Sequence, residues 1–315
     1  MDNVISLVEK KKLKGYIVPF ALDGAMVRGR FVRLGSALSD ITDKHQYPEI
    51  INKYIAEMLA LGAALIMDMK TSGSMTLQIT NSQLIRMVVA DVSSNGDMRA
   101  CATWDDEALG ALLQVTPNPS LAQLFAGGNL VFTVSLDQQA ENYQAIIELN
   151  GATLAECMHH YFRQSDQVPT GLFVCTDFLN SGNTYLAGAL LLQRTPIDHS
   201  KDRETIEKEE DDWFTDISLL ATITPNELLS AGISAETLLH RLFHERDLNI
   251  FPLKTIQARC HCSKQRIETI LTNFSDEDLA ETLVEGKIDV LCEFCSENYH
   301  FTEAEINQLR ENKTE

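Results

Sequence analysis

The chain has 315 residues, 44% hydrophobic and 23% charged, the balance of an ordinary globular protein long enough for two domains and a buried core. With 45 acidic against 26 basic side chains its net charge is −19, which weighs against binding nucleic acid or an anionic membrane. The longest apolar run, MLALGAALIM at 58–67, is too short to span a bilayer, and the N-terminal residues meet charge before a signal-type apolar core can form. The expectation is a cytoplasmic protein of the reducing cytosol, where static disulfides are rare and clustered cysteines bind metal or do redox work.

In chain order, AMVRGRFVRL (25–34) has the β-branched and aromatic content of a strand. YPEIINKYIAEMLALGAALIMDMK (47–70) reads as a long helix, with Pro48 near its first turn and apolar residues at Ile51, Ile55, Met58, Leu59, Leu65 and Ile66. SMTLQIT, LIRMVVADV and DMRACAT form a meander, with Asn95-Gly96 as a hairpin-turn signal between the last two. NLVFTVSL (129–136) and YQAIIEL (143–149) are further strands. A helix starts at Thr153, with Glu156 placed for a capping box, and the strands GLFVCTDF and TYLAGALLLQ follow. Adjacent hairpins with few helical crossovers predict an α+β fold, its N-terminal α/β domain built on a largely antiparallel sheet.

Near residue 197 the character changes. Residues 198–212 carry eight acids and three bases with no apolar periodicity, the signature of a solvated loop or helix edge and of a domain boundary. FTDISLLATITPNELLSAGISAETLLHRLFHERDLNIFP then reads as short helices. Thr224-Pro225-Asn226-Glu227 combines an N-cap, a first-turn proline and a capping-box acid, and Ser234 caps the next helix. The stretch has few aromatics and no long apolar run, so its stability depends on its neighbours.

Four of the seven cysteines fall in the last fifth of the chain: Cys260 and Cys262 in RCHC, then Cys292 and Cys295 in CEFC. In an extended segment, residues two apart share a face, so Cys260 and Cys262 aim at one point while His261 faces away. KIDV predicts a strand, CxxC a turn and YHF the return strand, a zinc-knuckle arrangement. Four thiolates fill a tetrahedral Zn²⁺ shell and leave no open position, which marks a structural metal site. His261 and His300 are alternative ligands that the face argument and the strand position disfavour.

Residues 259–315 offer a modest apolar set: Ile267, Ile270, Leu271, Phe274, Leu279, Leu283, Val284, Ile288, Val290, Phe294, Tyr299, Phe301 and Ile306. A segment so small rarely folds on its core alone, and structural zinc supplies on the order of 10 kcal/mol of folding free energy in such modules. Oxidation of the thiolates would release the metal, so the chemistry permits a reversible switch. The segment has 13 acids and 6 bases, the wrong sign for a zinc ribbon that grips nucleic acid.

RLFHERDLNIF, RCHCSKQRIETIL and KIDVLCEFCSENYHF closely resemble the thirty-three-kilodalton chaperonin family of redox-regulated heat-shock chaperones. MVRGRFVRL, YPEIINKYIAEMLALGAAL, TLQIT, DVSSNGDMRA and YQAIIELNGATLAECMHHYFRQSDQVPT extend the resemblance in order over most of the chain. The resemblance implies an N-terminal α/β core domain (1–196), an acidic, helical, metastable linker (197–257) and a C-terminal four-cysteine zinc domain (258–315). It implies an ATP-independent holdase, not an enzyme. In the reduced form Cys260, Cys262, Cys292 and Cys295 hold one zinc. Oxidation joins Cys260 to Cys262 and Cys292 to Cys295, releases the metal and unfolds the zinc domain and linker. The implied partners are unfolding client proteins, a second copy of the chain when oxidised, and ATP-dependent chaperones downstream. Ala187-Gly188-Ala189 and VEGKIDV depart from the family pattern without touching the cysteines.

Other candidate chemistry is weaker. Cys101, Cys157 and Cys175 read as buried structural thiols. Cys157 with His159 or His160 lacks the geometry of a thiol dyad and any oxyanion-hole signal. His240 and His244 are spaced as a helical metal pair but without an HExxH motif, and Gly127-Gly128 begins no phosphate loop. Two alternatives from other classes are an enzyme whose zinc domain is purely structural, and a zinc-ribbon nucleic-acid adaptor.

Overall fold

The computed structural model describes residues 15–314 apart from 25, 67–71, 138–141, 167, 180–183, 197–199, 201 and 285. The chain divides at Ala258 and Arg259 into two units. The first begins with β1 (Gly15–Leu22), β2 (Val27–Leu34), α1 (Ser36–Thr42) and α2 (Glu49–Ile66). The meander β3 (Gly73–Thr80), β4 (Met87–Ser93), β5 (Asp97–Thr103) follows, then α3 (Asp106–Val115), α4 (Leu121–Leu124), β6 (Asn129–Leu136) and β7 (Tyr143–Glu148). Next come α5 (Leu154–Tyr161), β8 (Thr170–Leu179), β9 (Thr184–Arg194), α6 (Arg203–Leu220), α7 (Pro225–Leu229) and α8 (Ala235–Leu242). Three short strands complete it: β10 (Leu248–Ile250), β11 (Lys254–Thr255) and β12 (Gln257–Ala258).

The fold is α+β with largely antiparallel pairing, but the strands form two sheets rather than one. The first runs β10-β1-β2-β9-β8, with β11 also on β1; the second runs β12-β5-β4-β3-β6-β7. The pair of β12 with β5 is parallel. Helix α2 packs against strands of both sheets, which is why its buried residues lie on all sides rather than along one stripe. Small residues let it approach: a Cβ on Gly62 would stand 3.0 Å from Val92 Cγ2. The predicted continuation of this helix over 67–70 lies outside the described residues.

Side-chain alternation gives the first sheet two buried faces. Ile17, Val32, Leu34, Ala187, Ala189 and Leu191 join α2 in the main core. Val18, Phe20, Leu22, Phe31, Leu190 and Leu192 point the other way and meet Trp213, Leu220, Leu228, Leu239 and Phe243 of the α6–α8 segment. A sheet covered on both sides reads as continuous apolar sequence, as GYIVPFAL does. Neither that strand nor helix α3 is among the elements predicted from the sequence.

Residues 203–212 of the acid-rich stretch form the first half of α6. Its carboxylates sit on the outer side, while Trp213, Asp216 and Leu220 are buried with helical spacing. The periodicity begins at Trp213, one residue after the charged run ends. Thr224 caps α7 in a full capping box with Glu227, and Ser234 caps α8. At α5 the cap is split: Thr153 accepts the Glu156 N–H, while the Glu156 carboxylate takes the N–H of Ala152 at 2.8 Å.

The second unit contains α9 (Lys264–Leu271), α10 (Asp276–Thr282), the hairpin β13 (Lys287–Leu291) and β14 (Asn298–Thr302), and α11 (Glu303–Thr314). Its core is Leu271, Leu279, Ile288, Phe301 and Ile306, with Ile267, Phe274, Leu283, Val290 and Tyr299 at the margin. Three residues of the expected apolar set stay outside this cluster: Ile270, 51% exposed, Val284, 72% exposed, and the half-buried Phe294. Five buried side chains among the described residues are a thin core for the unit Arg259–Glu315, which agrees with a need for further cross-linking.

Candidate metal centre

The second pair of cysteines lies where β13 turns into β14. The N–H groups of Cys295 and Ser296 both donate to the Cys292 carbonyl, at 3.3 and 2.8 Å, and the Cys292 N–H donates to the Glu297 carbonyl at 2.9 Å. Ser296 takes φ +57, a left-handed residue that swings the chain into the return strand. The first pair ends one residue before the N-cap of α9, Ser263, which accepts the Arg266 N–H. A turn therefore fixes the second pair and the short lead into a capped helix holds the first, and the fold of the unit brings the pairs together.

The four sulfurs lie within 4.8 Å of one another. Cys260 Sγ is 3.7 Å from Cys292 Sγ, and Cys262 Sγ is 3.3 Å from Cys295 Sγ. Zinc–thiolate bonds of about 2.3 Å at tetrahedral angles put sulfurs about 3.8 Å apart, so the donor set fits that ion in number, softness and spacing. The close contacts join one cysteine of each pair to one of the other, so the cluster ties RCHC to the hairpin. His261 is exposed, and His300 hydrogen-bonds Asp289 through Nδ1 at 2.6 Å. Neither histidine belongs to the cluster of sulfurs.

Electrostatics favour a cation here. Burial opposes ionisation of the thiols. In Cys260 the Cys262 N–H and the neighbouring sulfurs outweigh burial and bring the thiol down to about 7. Cys292 and Cys295 are held above the ordinary thiol range, burial being the main cause in each. Sulfurs this close cannot all carry charge by themselves; a divalent cation at their centre would let them.

The hydroxyl of Tyr299 donates to Cys262 Sγ at 3.2 Å. From the sequence Tyr299 is expected only as a return-strand residue and a member of the apolar set, not as a partner of the sulfurs. Its signal was the register of β14, in which Tyr299 and Phe301 share the inner face and His300 the outer.

The remaining sequence candidates lie elsewhere. Cys101 and Cys157 are buried, and Cys175 is half-buried with burial pushing its thiol up to about 12. His159 Nε2 lies 3.3 Å from the Leu172 carbonyl oxygen. His240 and His244 do not share a helix face, because α8 ends at Leu242. No helix among the described residues is long and apolar enough to cross a membrane.

The family profile described as Hsp33 protein matches residues 15–302. The chain belongs to the Hsp33 family. It is 32% identical over 290 residues to the 33 kDa chaperonin of Caulobacter vibrioides, covering 91% of this chain and 94% of that one. It is 34% identical over 293 residues to the 33 kDa chaperonin of Proteus mirabilis, with 92% and 94% covered. The crystal structure of the Hsp33 homologue from Thermotoga maritima superposes with a TM-score of 0.76 at 20% identity, over 96% of this chain and 99% of that one, which shows a shared fold. The protein is thus a chaperone of the Hsp33 type with a cysteine cluster compatible with metal binding.

Proposed function

We propose that the protein is a redox-regulated, ATP-independent holdase in which Cys260, Cys262, Cys292 and Cys295 form the switch. The observation that carries this reading is the convergence of the four sulfurs within 4.8 Å. In the reduced state they hold one zinc, which supplies the folding energy that the thin core of 259–315 lacks. Oxidation converts Cys260–Cys262 and Cys292–Cys295 into disulfides. A disulfide sulfur has no thiolate charge to offer a metal, so zinc leaves and the domain of residues 258–315 unfolds.

The client surface in this reading is the outer face of the first sheet. Val18, Phe20, Phe31, Leu190 and Leu192 are buried there only because α6–α8 cover them. Loss of structure in the segment 197–257 would uncover this apolar face for unfolding proteins. The oxidised, client-loaded protein acts as a dimer in the cytoplasm and passes clients to ATP-dependent chaperones. The core domain of residues 1–196 stays folded throughout.

The test measures zinc content, far-UV circular dichroism and suppression of client aggregation, before and after hydrogen peroxide. The expected result is one zinc per reduced chain, lost together with helix, and aggregation suppressed only after oxidation. Equal suppression in both states with zinc retained would sink the proposal.

A further inference from the structure

We infer that Tyr299 is a positioning residue of the cysteine cluster: its hydroxyl, bonded to Cys262 Sγ, slows attack by that sulfur on an oxidant and with it the release of the metal. The inference rests on the zinc reading above and concerns a residue outside the four ligands.

The donors around the sulfurs differ in kind. Cys260 accepts from the Cys262 N–H, Cys292 from the N–H groups of Phe294 and Cys295, and Cys295 from the Glu297 N–H. These come from the backbone of the two turns and follow from the chain path. Cys262 takes a side-chain donor, the Tyr299 O–H, from a strand 37 residues away in sequence. That donor holds only while the hairpin is in register. Val290 stands opposite Tyr299 and Ile288 opposite Phe301, and the Tyr299 ring packs at the margin of the small core. The ring is thus fixed by the same packing that zinc stabilises, and its hydroxyl reports that packing to one sulfur.

A hydrogen bond to a thiolate draws on the lone pairs that a nucleophile needs, and outer-shell partners of this kind also hold a ligand in place. In the oxidation, two thiolates and one hydrogen peroxide give one disulfide and two hydroxide ions, the two electrons passing from sulfur to oxygen. The first thiolate to attack peroxide sets the rate, so the sulfur that is shielded helps decide when the switch opens. With the hydroxyl in place Cys262 is restrained; when β14 loosens, the restraint goes, and oxidation becomes easier in a domain already strained by heat or denaturant.

The experiment compares the full-length reduced, zinc-loaded protein with its Tyr299→Phe variant, which keeps the ring and loses only the hydroxyl. Zinc transfer to a chromophoric chelator is followed in time, and the order of iodoacetamide labelling of the four cysteines is read by peptide mass spectrometry. The expected result is zinc loss faster by about fivefold, with labelling of Cys262 rising relative to Cys292. A Tyr299→Leu variant serves as the packing control: general loosening should speed labelling at all four sulfurs, whereas loss of the hydroxyl alone should favour Cys262. Equal zinc loss and an unchanged labelling order in Tyr299→Phe overturn the role of Tyr299 while leaving the metal reading intact. Absence of zinc from both proteins overturns the metal reading and the inference with it.

Discussion

Phe243 stacks on Phe20 with ring centroids 5.9 Å apart, joining the residue that closes α8 to the first strand of the first sheet. Both rings are fully buried, so the contact is a main anchor of the α6–α8 cover. Phe243→Ala should weaken that attachment by about 3–5 kcal/mol. If the cover hides the client face, the variant should suppress client aggregation without oxidant. The check is an aggregation assay under reducing conditions with zinc content confirmed.

Arg33 makes a second attachment that the first does not share. Its Nε donates to the Leu228 carbonyl at 2.7 Å and its Nη1 to the Ile233 carbonyl at 2.9 Å, across the end of α7. Arg33→Met keeps much of the apolar stem and removes both bonds, leaving two carbonyls wanting donors. Hydrogen exchange should rise in residues 225–243 and stay unchanged in α2; equal rises in both would count against a local latch.

Asp216 has no solvent exposure, and Arg246 reaches it at 3.3 Å while also pairing with Asp23 and Asp212. Burial raises the Asp216 carboxyl to about 6, against the pull of Arg246 and with help from Asp212 and Asp23. A folded-state value above the unfolded one means that the protonated form favours folding. This group's contribution is therefore full below about pH 4 and lost as pH rises through about 6. Asp216→Asn should flatten that part of the pH dependence, read as urea midpoints between pH 4.5 and 7.

Removal of zinc from the reduced chain should act on one unit. A chelator is expected to open residues 259–315 to limited proteolysis, while fragments within 15–196 stay protected. Cys262→Ser should mimic this in part, since three thiolates leave the shell incomplete.

Gly29 faces Phe20 across the β1–β2 pair, and a Cβ there would fall 2.0 Å from the Phe20 ring. Gly29→Ala should cost about 1–3 kcal/mol, because the ring is locked between the sheet and α8 and cannot step aside freely. The check is a lowered urea midpoint with an unchanged slope.

Much of this molecule is legible along the chain wherever the cause is local. Asn95-Gly96 marks the β4–β5 turn because Gly96 adopts φ +92, and the Thr224 and Ser234 caps follow from side chains that bond their own neighbourhood. The cysteine pairs are legible for the same reason, since each lies in one short stretch of chain, Cys292 and Cys295 on a hairpin turn and Cys260 and Cys262 just before a capped helix. The strand Gly15–Leu22 was not, because burial on both faces erases the alternation that identifies a strand. The split into two sheets was not legible either, since register and strand order depend on partners far apart in sequence.

The sequence by itself determined the candidate metal-binding cysteines, the family and the class of fold, because sulfur spacing and local periodicity are properties of neighbouring residues. Only the tertiary structure decided that the α6–α8 segment closes over an apolar sheet face and that Tyr299 reaches Cys262. Both are contacts between distant segments, and their geometry exists only once the sheets and the hairpin have packed.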